Sequence, residues 1–193
     1  AVDEVAEGGD YTLIRIPGAT PRFEIYAPSA AMERLWRAAE GFRPVGAPAW
    51  ELLDIRAGVG DVLPATAEAF VPQMLNLHLI NGVSFQKGCY PGQEIVARMQ
   101  YLGKLKRRMY RARVETDEIP PAGTELFSAA SDSGQGTGRV VTAQLSPAGG
   151  CELLAVIERA TVESGKSIHL ANTDGPLLAI EPLPYAFPAD AEK

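Results

Sequence analysis

Cysteine is nearly absent: the 193 residues hold two, Cys89 and Cys151, far apart and in unlike contexts. Two such cysteines do not make the disulfide framework of a small secreted domain, so reduced thiols in a cytosol are expected. They are also too few for a four-cysteine iron–sulfur cluster. Histidine is equally scarce, and neither His78 nor His169 stands in a context that ties it to Cys89, which argues against a papain-like hydrolase. Two scattered histidines and two distant cysteines lack zinc-site spacing, and no metal site is expected. No apolar run approaches the roughly 20 residues a membrane helix needs. The opening AVDEVAEGGDYTL lacks the basic and apolar regions of a signal peptide, and a soluble, cytoplasmic chain with no membrane partner is expected. A start at Ala1-Val2-Asp3 with no Met ahead of a strand-like segment suggests a piece of something longer.

What is present is enough apolar material for one ordinary domain or two small ones, 46% of residues being hydrophobic. Eighteen basic against twenty-four acidic residues give a net charge of -6, which favours solubility and argues against general adhesion to nucleic acid or anionic membrane. Any polyanion contact must be local.

Residues 11–16 and 22–27 read as two strands joined by Pro17-Gly18-Ala19-Thr20-Pro21, a hairpin with a longer loop. Ser29 is suited to cap a helix with apolar positions Met32, Leu35, Trp36 and Ala39 before Gly41. A second helix opens at Pro48, carries Trp50, Leu53 and Ala57 along one side and stops at Gly58. Residues 61–85, punctuated by Pro64, Pro72 and Asn81-Gly82, are expected to wrap over this first α+β unit. A third helix follows Gly92, with Ile95, Val96, Met99 and Leu102 as its apolar stripe. Beyond Arg107 short alternating segments near 109–114, 124–127, 138–145, 152–157, 167–170 and 177–183 read as a small β-barrel or sandwich. The boundary falls near 104–108, dividing the chain into 1–105 and 106–193.

The chemically informative stretch is Phe85-Gln86-Lys87-Gly88-Cys89-Tyr90-Pro91-Gly92-Gln93-Glu94, a glycine-bracketed loop feeding a helix. Unpaired amides at a helix N-terminus favour an anion, and Lys87 adds positive charge, so the Cys89 thiolate is expected to be stabilised. Gly88 and Gly92 allow backbone angles or close approaches that side chains forbid, while Pro91 stiffens the turn. Composition alone favours Cys89 as a small buried hydrophobe, and Gln93 and Glu94 also read as first-turn residues that complement the helix dipole.

The string Lys87-Gly88-Cys89-Tyr90-Pro91-Gly92-Gln93-Glu94 resembles the KGCYxGQE signature of the YgfZ group of folate-binding proteins, relatives of the glycine-cleavage T-protein. The likeness extends through Phe70-Val71-Pro72-Gln73-Met74-Leu75-Asn76-Leu77, from Glu94 to Arg108, and to Ile180-Glu181-Pro182-Leu183-Pro184-Tyr185. The resemblance implies an α+β fold in which residues 1–105 form the later part of a T-protein-like folate-binding module and 106–193 a small C-terminal antiparallel β-barrel. It implies a tetrahydrofolate or folate-derivative ligand, support of iron–sulfur enzyme assembly or repair, and through it an influence on tRNA modification. Cys89 and Lys87 then carry the chemistry, in a loop shaped by Gly88, Tyr90, Gly92, Gln93 and Glu94.

By the same resemblance Trp50 matches a folate-contacting tryptophan, whereas unaided it reads as core. Arg56, in Asp54-Ile55-Arg56-Ala57-Gly58, stands where the T-protein and many YgfZ members carry a glutamate. A guanidinium only donates, so Arg56 either meets a folate glutamate tail or lies in solvent. Seven basic residues, Arg98, Lys104, Lys106, Arg107, Arg108, Arg111 and Arg113, run from 98 to 113 with no acid among them. That segment reads as a solvated strand face, or as a contact for tRNA, an iron–sulfur enzyme or a polyglutamyl tail. The alternatives left open are a folate-dependent aminomethyl transferase and a non-enzymatic binding module with a structural Cys89.

Overall fold

Two antiparallel sheets organise the computed structural model, which describes residues 4–128 and 136–187; Ala1-Val2-Asp3 lies outside them. The first sheet is β1 (Val5–Gly8), β2 (Tyr11–Ile16) and β3 (Arg22–Tyr26), paired in that order. The expected hairpin is there, with β1 added to its edge. Helix α1 (Ser29–Ala38) follows, then α2 (Ala47–Ala57). Ser29 is not the cap expected of it. Pro28 is, its φ of -57° and ψ of 149° setting an extended entry, and its carbonyl accepts the N–H groups of Ala31 and Met32.

The second sheet contains β4 (Arg107–Val114), β5 (Glu125–Phe127), β6 (Gly138–Leu145), β7 (Cys151–Glu158), β8 (His169–Leu170) and β9 (Leu178–Glu181), in the order β8-β5-β6-β7-β4-β9. Every pairing is antiparallel. The ends of that order meet: a bridge joins His169 to Leu177, and the Leu178 N–H donates to the Ile168 carbonyl at 2.8 Å. The sheet thus curls into a barrel whose two end strands meet. A short helix, α4 (Arg159–Glu163), links β7 to β8.

Strand alternation sorts side chains to the two surfaces of this barrel. Tyr110, Ala112 and Val114 of β4 and Cys151, Leu153, Ala155 and Ile157 of β7 point inward and pack with Leu126, Val140, Ile168 and Leu178. The alternate residues Met109, Val141, Leu154 and Val156 form a second cluster on the outer surface, covered by Ile55 of α2 and by Leu75, Phe70, Met74 and Leu77. Residues 70–77 therefore pack against the barrel as well as against Ile55 of the first unit, where the sequence suggested the first unit alone. The reason is that β7 is apolar on both faces and its outer one needs a cover. Helix α2 turns Leu52, Ile55 and Ala57 inward and leaves Trp50 half-buried, so its buried side is rotated from the Trp50–Leu53–Ala57 line.

One charged residue, Glu152, sits in the fully buried stretch of β7; the other, Glu158, ends it half-buried. Glu152 is 4% exposed and receives a fork from Arg56 of α2, with Nη2 at 2.6 Å from Oε1 and Nε at 3.0 Å from Oε2. Ser146 donates to Oε1 at 2.9 Å and Arg111 to Oε2 at 3.2 Å. The bonds from Arg56 above all, then those from Ser146 and the charge of Arg111, hold the Glu152 carboxyl below the ordinary carboxylate range, although burial alone would raise it. Glu51 accepts from Gln144 at 2.9 Å and makes a second tie between α2 and the barrel. At the end of α2 the left-handed Gly58 (φ 69°) offers its carbonyl to the Tyr185 hydroxyl at 2.7 Å, and a Cβ there would meet the Tyr185 ring at 2.7 Å.

Glu152 binds a proton more weakly in the folded chain than in the unfolded one. Its contribution to stability is therefore whole above the ordinary carboxylate pKa of about 4.3 and is lost as pH falls through the lowered folded value. Glu152→Gln is expected to lose about 3 kcal/mol at neutral pH, because Arg56 and Arg111 lose their shared counter-ion. Urea unfolding across the acid range should show the gap between variant and wild type narrowing as pH drops; a constant gap would mean that the carboxylate charge is not what stabilises.

Candidate functional site

Tyr90, Pro91, Gly92 and Gln93 form a type II β-turn. Gly92 occupies its third position with φ 82° and ψ -3°, Pro91 its second, and the Gln93 N–H donates to the Tyr90 carbonyl at 3.2 Å. The Gln93 side chain closes the turn from the other side, its Oε1 accepting the Tyr90 N–H at 3.2 Å. Gly92 is there for its positive φ, which a side chain would strain. Gly88 is different: its φ is not in the left-handed region and a Cβ on it would meet nothing within 4 Å, so the expected close approach is not made at this residue.

Helix α3 (Gln93–Tyr101) opens directly from this turn, with Glu94 exposed in its first turn and no side-chain cap at Gly92. The Lys87 ammonium lies over the Tyr90 ring, 4.5 Å from its centre, and Phe85 meets Tyr101 edge to face at 6.2 Å. Both contacts fold the loop back on the turn and helix that follow it. Cys89 lies between Gly88 and the turn and is exposed with a free thiol, so it is not a buried hydrophobe. Cys151, the other free cysteine, is buried inside the barrel; burial first, and the Asp117 charge second, push its thiol pKa up.

A relay of buried amides connects this loop to the barrel. Gln73 donates to the Val96 carbonyl of α3 at 2.6 Å, and Asn76, fully buried with φ 58°, donates to the Met109 carbonyl of β4 at 2.8 Å. Val96 is the buried residue of α3, whereas Ile95 and Leu102 are 61% and 83% exposed, so the apolar stripe read from the sequence is largely turned to solvent.

Trp50 and Arg56 belong to a second neighbourhood. Trp50 carries the Arg22 guanidinium 4.7 Å from its ring centre, and that guanidinium donates to Asp54 at 2.6 Å. Arg56 is committed to Glu152 and is not simply solvated. The ring contacts and hydrogen bonds of the thiol loop named above lie within residues 84–101, whereas those of Trp50 and Arg56 are made with Arg22 and Glu152. Sequence reasoning missed Glu152, Arg22, Gln73 and Asn76. A carboxylate at the second position of the apolar run CELLAVIE was the available signal for the first.

The basic segment is largely paired. Arg107 meets Glu158 at 2.8 Å, Arg111 meets Glu181 at 2.7 Å as well as Glu152, Arg113 meets Glu115 at 3.0 Å, and Arg108 lies over the Phe187 ring. Among the described residues no ion pair engages Arg98, Lys104 or Lys106. Among the same residues no group of three or more His, Cys, Asp or Glu is placed to hold a metal ion, and no helix is long and apolar enough to cross a membrane.

No protein-family model matches the chain. It is 33% identical over 187 residues to the tRNA-modifying protein YgfZ of Sodalis glossinidius, covering 96% of this chain and 57% of that protein. It is 33% identical over 162 residues to the namesake from Edwardsiella ictaluri, covering 84% of this chain and 46% of that one. Against the protein from Pectobacterium atrosepticum the figures are 35% over 136 residues, 70% and 40%. The chain thus spans about half the length of the curated relatives it matches. Among solved structures, the glycine cleavage system aminomethyltransferase T from Bartonella henselae superposes with a TM-score of 0.58 at 18% identity, over 92% of this chain and 50% of that one. That likeness concerns the fold.

The two thiols differ enough to be told apart in one experiment. With a modest excess of iodoacetamide, the folded chain should be carboxamidomethylated at Cys89 and spared at Cys151, with both modified in denaturant; peptide mass spectrometry reads the outcome. Equal labelling of the native chain would mean that the barrel opens readily around Cys151.

Proposed function

Because the chain belongs to the YgfZ family over the length it shares with those relatives, we propose that it is a folate-binding accessory protein supporting iron–sulfur enzyme assembly or repair, and through that tRNA modification. The observation that carries the reading is the exposed Cys89 thiol, set just before a type II turn that Gly92 and Gln93 fix, with Lys87 on Tyr90 beside it. Cys89 acts as the redox or nucleophilic group, Lys87 and Tyr90 hold the loop that presents it, and Gly88 leaves the approach open.

The ligand is tetrahydrofolate or a derivative. The half-buried Trp50 fits a flat ring: Arg22 covers one face of the indole, and a pterin or aminobenzoyl ring would stack on what remains. Arg56 fits a donor-only role toward the carboxylates of a glutamyl tail, since its inner N–H groups are held by Glu152. A reduced folate, when bound, supplies a carrier for one-carbon units. The contact with an iron–sulfur enzyme or tRNA is assigned to Arg98, Lys104 and Lys106, the basic residues that the barrel does not pair.

Expression in a bacterium lacking its own YgfZ tests the reading. The wild type should restore methylthiolated nucleosides in tRNA, measured by mass spectrometry; Cys89→Ser should not, and Trp50→Ala should restore them only at raised folate. Full restoration by Cys89→Ser would make the thiol structural and overturn its assigned role.

A further inference from the structure

Three guanidinium groups from three elements converge on one cleft beside α2. Arg22 of β3, Arg56 from the last turn of α2 and Arg111 of β4 line a cavity of about 310 Å³, together with Thr20 of the β2–β3 loop and the apolar Leu53 and Leu183. Each arginine has an acidic partner: Asp54 for Arg22, Glu152 for Arg56, Glu152 and Glu181 for Arg111. None of these three carboxylates lines the cavity. The acids fix the cations from behind and leave the cleft walled by donors and hydrocarbon.

Two buried donors have no acceptor among the described residues, Arg22 Nη1 and Arg111 Nε, and the Arg22 side chain is only 4% exposed. A guanidinium N–H taken from water and left unpaired costs more than a neutral one, but Arg15 Nε away from the cleft is in the same position, so it is the convergence of three arginines on one cavity that points to an oxyanion. A guanidinium fork matches the oxygens of a carboxylate or phosphate, and three forks already held in place lose little freedom on meeting one. The three acids balance the three cations, so attraction comes from directed N–H donors and not from net charge.

We propose that this cleft binds the oxyanion head of a small molecule, a carboxylate or a phosphate, with a short apolar body against Leu53 and Leu183. The site shares Arg56 with the folate reading, whose glutamyl tail is one such carboxylate, but a ligand of this class needs no pterin or aminobenzoyl ring, so binding of a small oxyanion stands or falls separately from binding of folate. A failed oxyanion titration would leave the assigned role of the Cys89 loop untouched, since none of the cleft residues belongs to that loop.

The test follows the arginine Nε–Hε resonances of the full chain by NMR during titration with inorganic phosphate in one arm and butyrate in the other. Saturable shifts of Arg22, Arg56 or Arg111 are expected, with a Kd on the order of 1 mM for a ligand this small. Thr20→Glu, which sets a carboxylate on the exposed loop at the cleft without touching the ion pairs, should weaken binding about tenfold or more, while Thr20→Gln should bind as the wild type does. Shifts with phosphate alone identify a phosphate site, with butyrate alone a carboxylate site, and with both a general oxyanion site. The proposal is overturned if neither probe gives saturable shifts in the wild type, or if Thr20→Glu binds both probes unchanged. The wild-type titrations decide by themselves if that variant does not fold.

Discussion

A strand covered on both faces governs how the rest of this chain must pack. From Cys151 to Ile157 every residue of β7 is buried, one series inside the barrel and the other under α2 and residues 70–77. Burial on the outer side is what makes Glu152 consequential. A carboxylate there must be met by charge-assisted donors, and Arg56 and Arg111 meet it from a helix and from the neighbouring strand. The same pairs fix how α2 sits on the barrel, and with it the loop between β2 and β3, which Arg22 and Asp54 bind to that helix.

The thiol is placed by a different route. Asn76 hangs residues 70–77 on the Met109 carbonyl, Gln73 hangs α3 on those residues, and the turn at Tyr90–Gln93 hangs Cys89 on α3. Each link uses a side-chain amide bonded to a backbone group. The reactive loop can remain exposed while its base is held by the interior.

The sequence showed the barrel strands clearly, because period-two alternation bounded by Gly, Pro and Asp is a local signal. It showed the Cys89 loop as well, since glycine, proline and the helix stripe all lie within a dozen residues. What it could not show depends on distance along the chain. Arg56 and Glu152 are 96 residues apart, and nothing near Arg56 says that a carboxylate waits on the barrel surface. The fate of residues 70–77 and the rotation of α2 follow from the two-faced burial of β7, which a short apolar run does not distinguish from a buried helix. The exposed side of α3 misled for a related reason: amphipathic spacing predicts a helix but not how much of its apolar face is covered within this chain.

Strand β4 lies between β7 and β9, both of which follow it in the chain. During synthesis it leaves the ribosome with neither neighbour yet made, an unpaired strand of eight residues waiting for partners that emerge much later. Such a strand is where nascent chains stick to one another, and four of its eight residues are arginine: Arg107, Arg108, Arg111 and Arg113. The charges of Arg107 and Arg111, which end in ion pairs with Glu158, Glu152 and Glu181 on the finished barrel, thus also act earlier, as repulsion between copies of an unfinished sheet while those acids are still being translated.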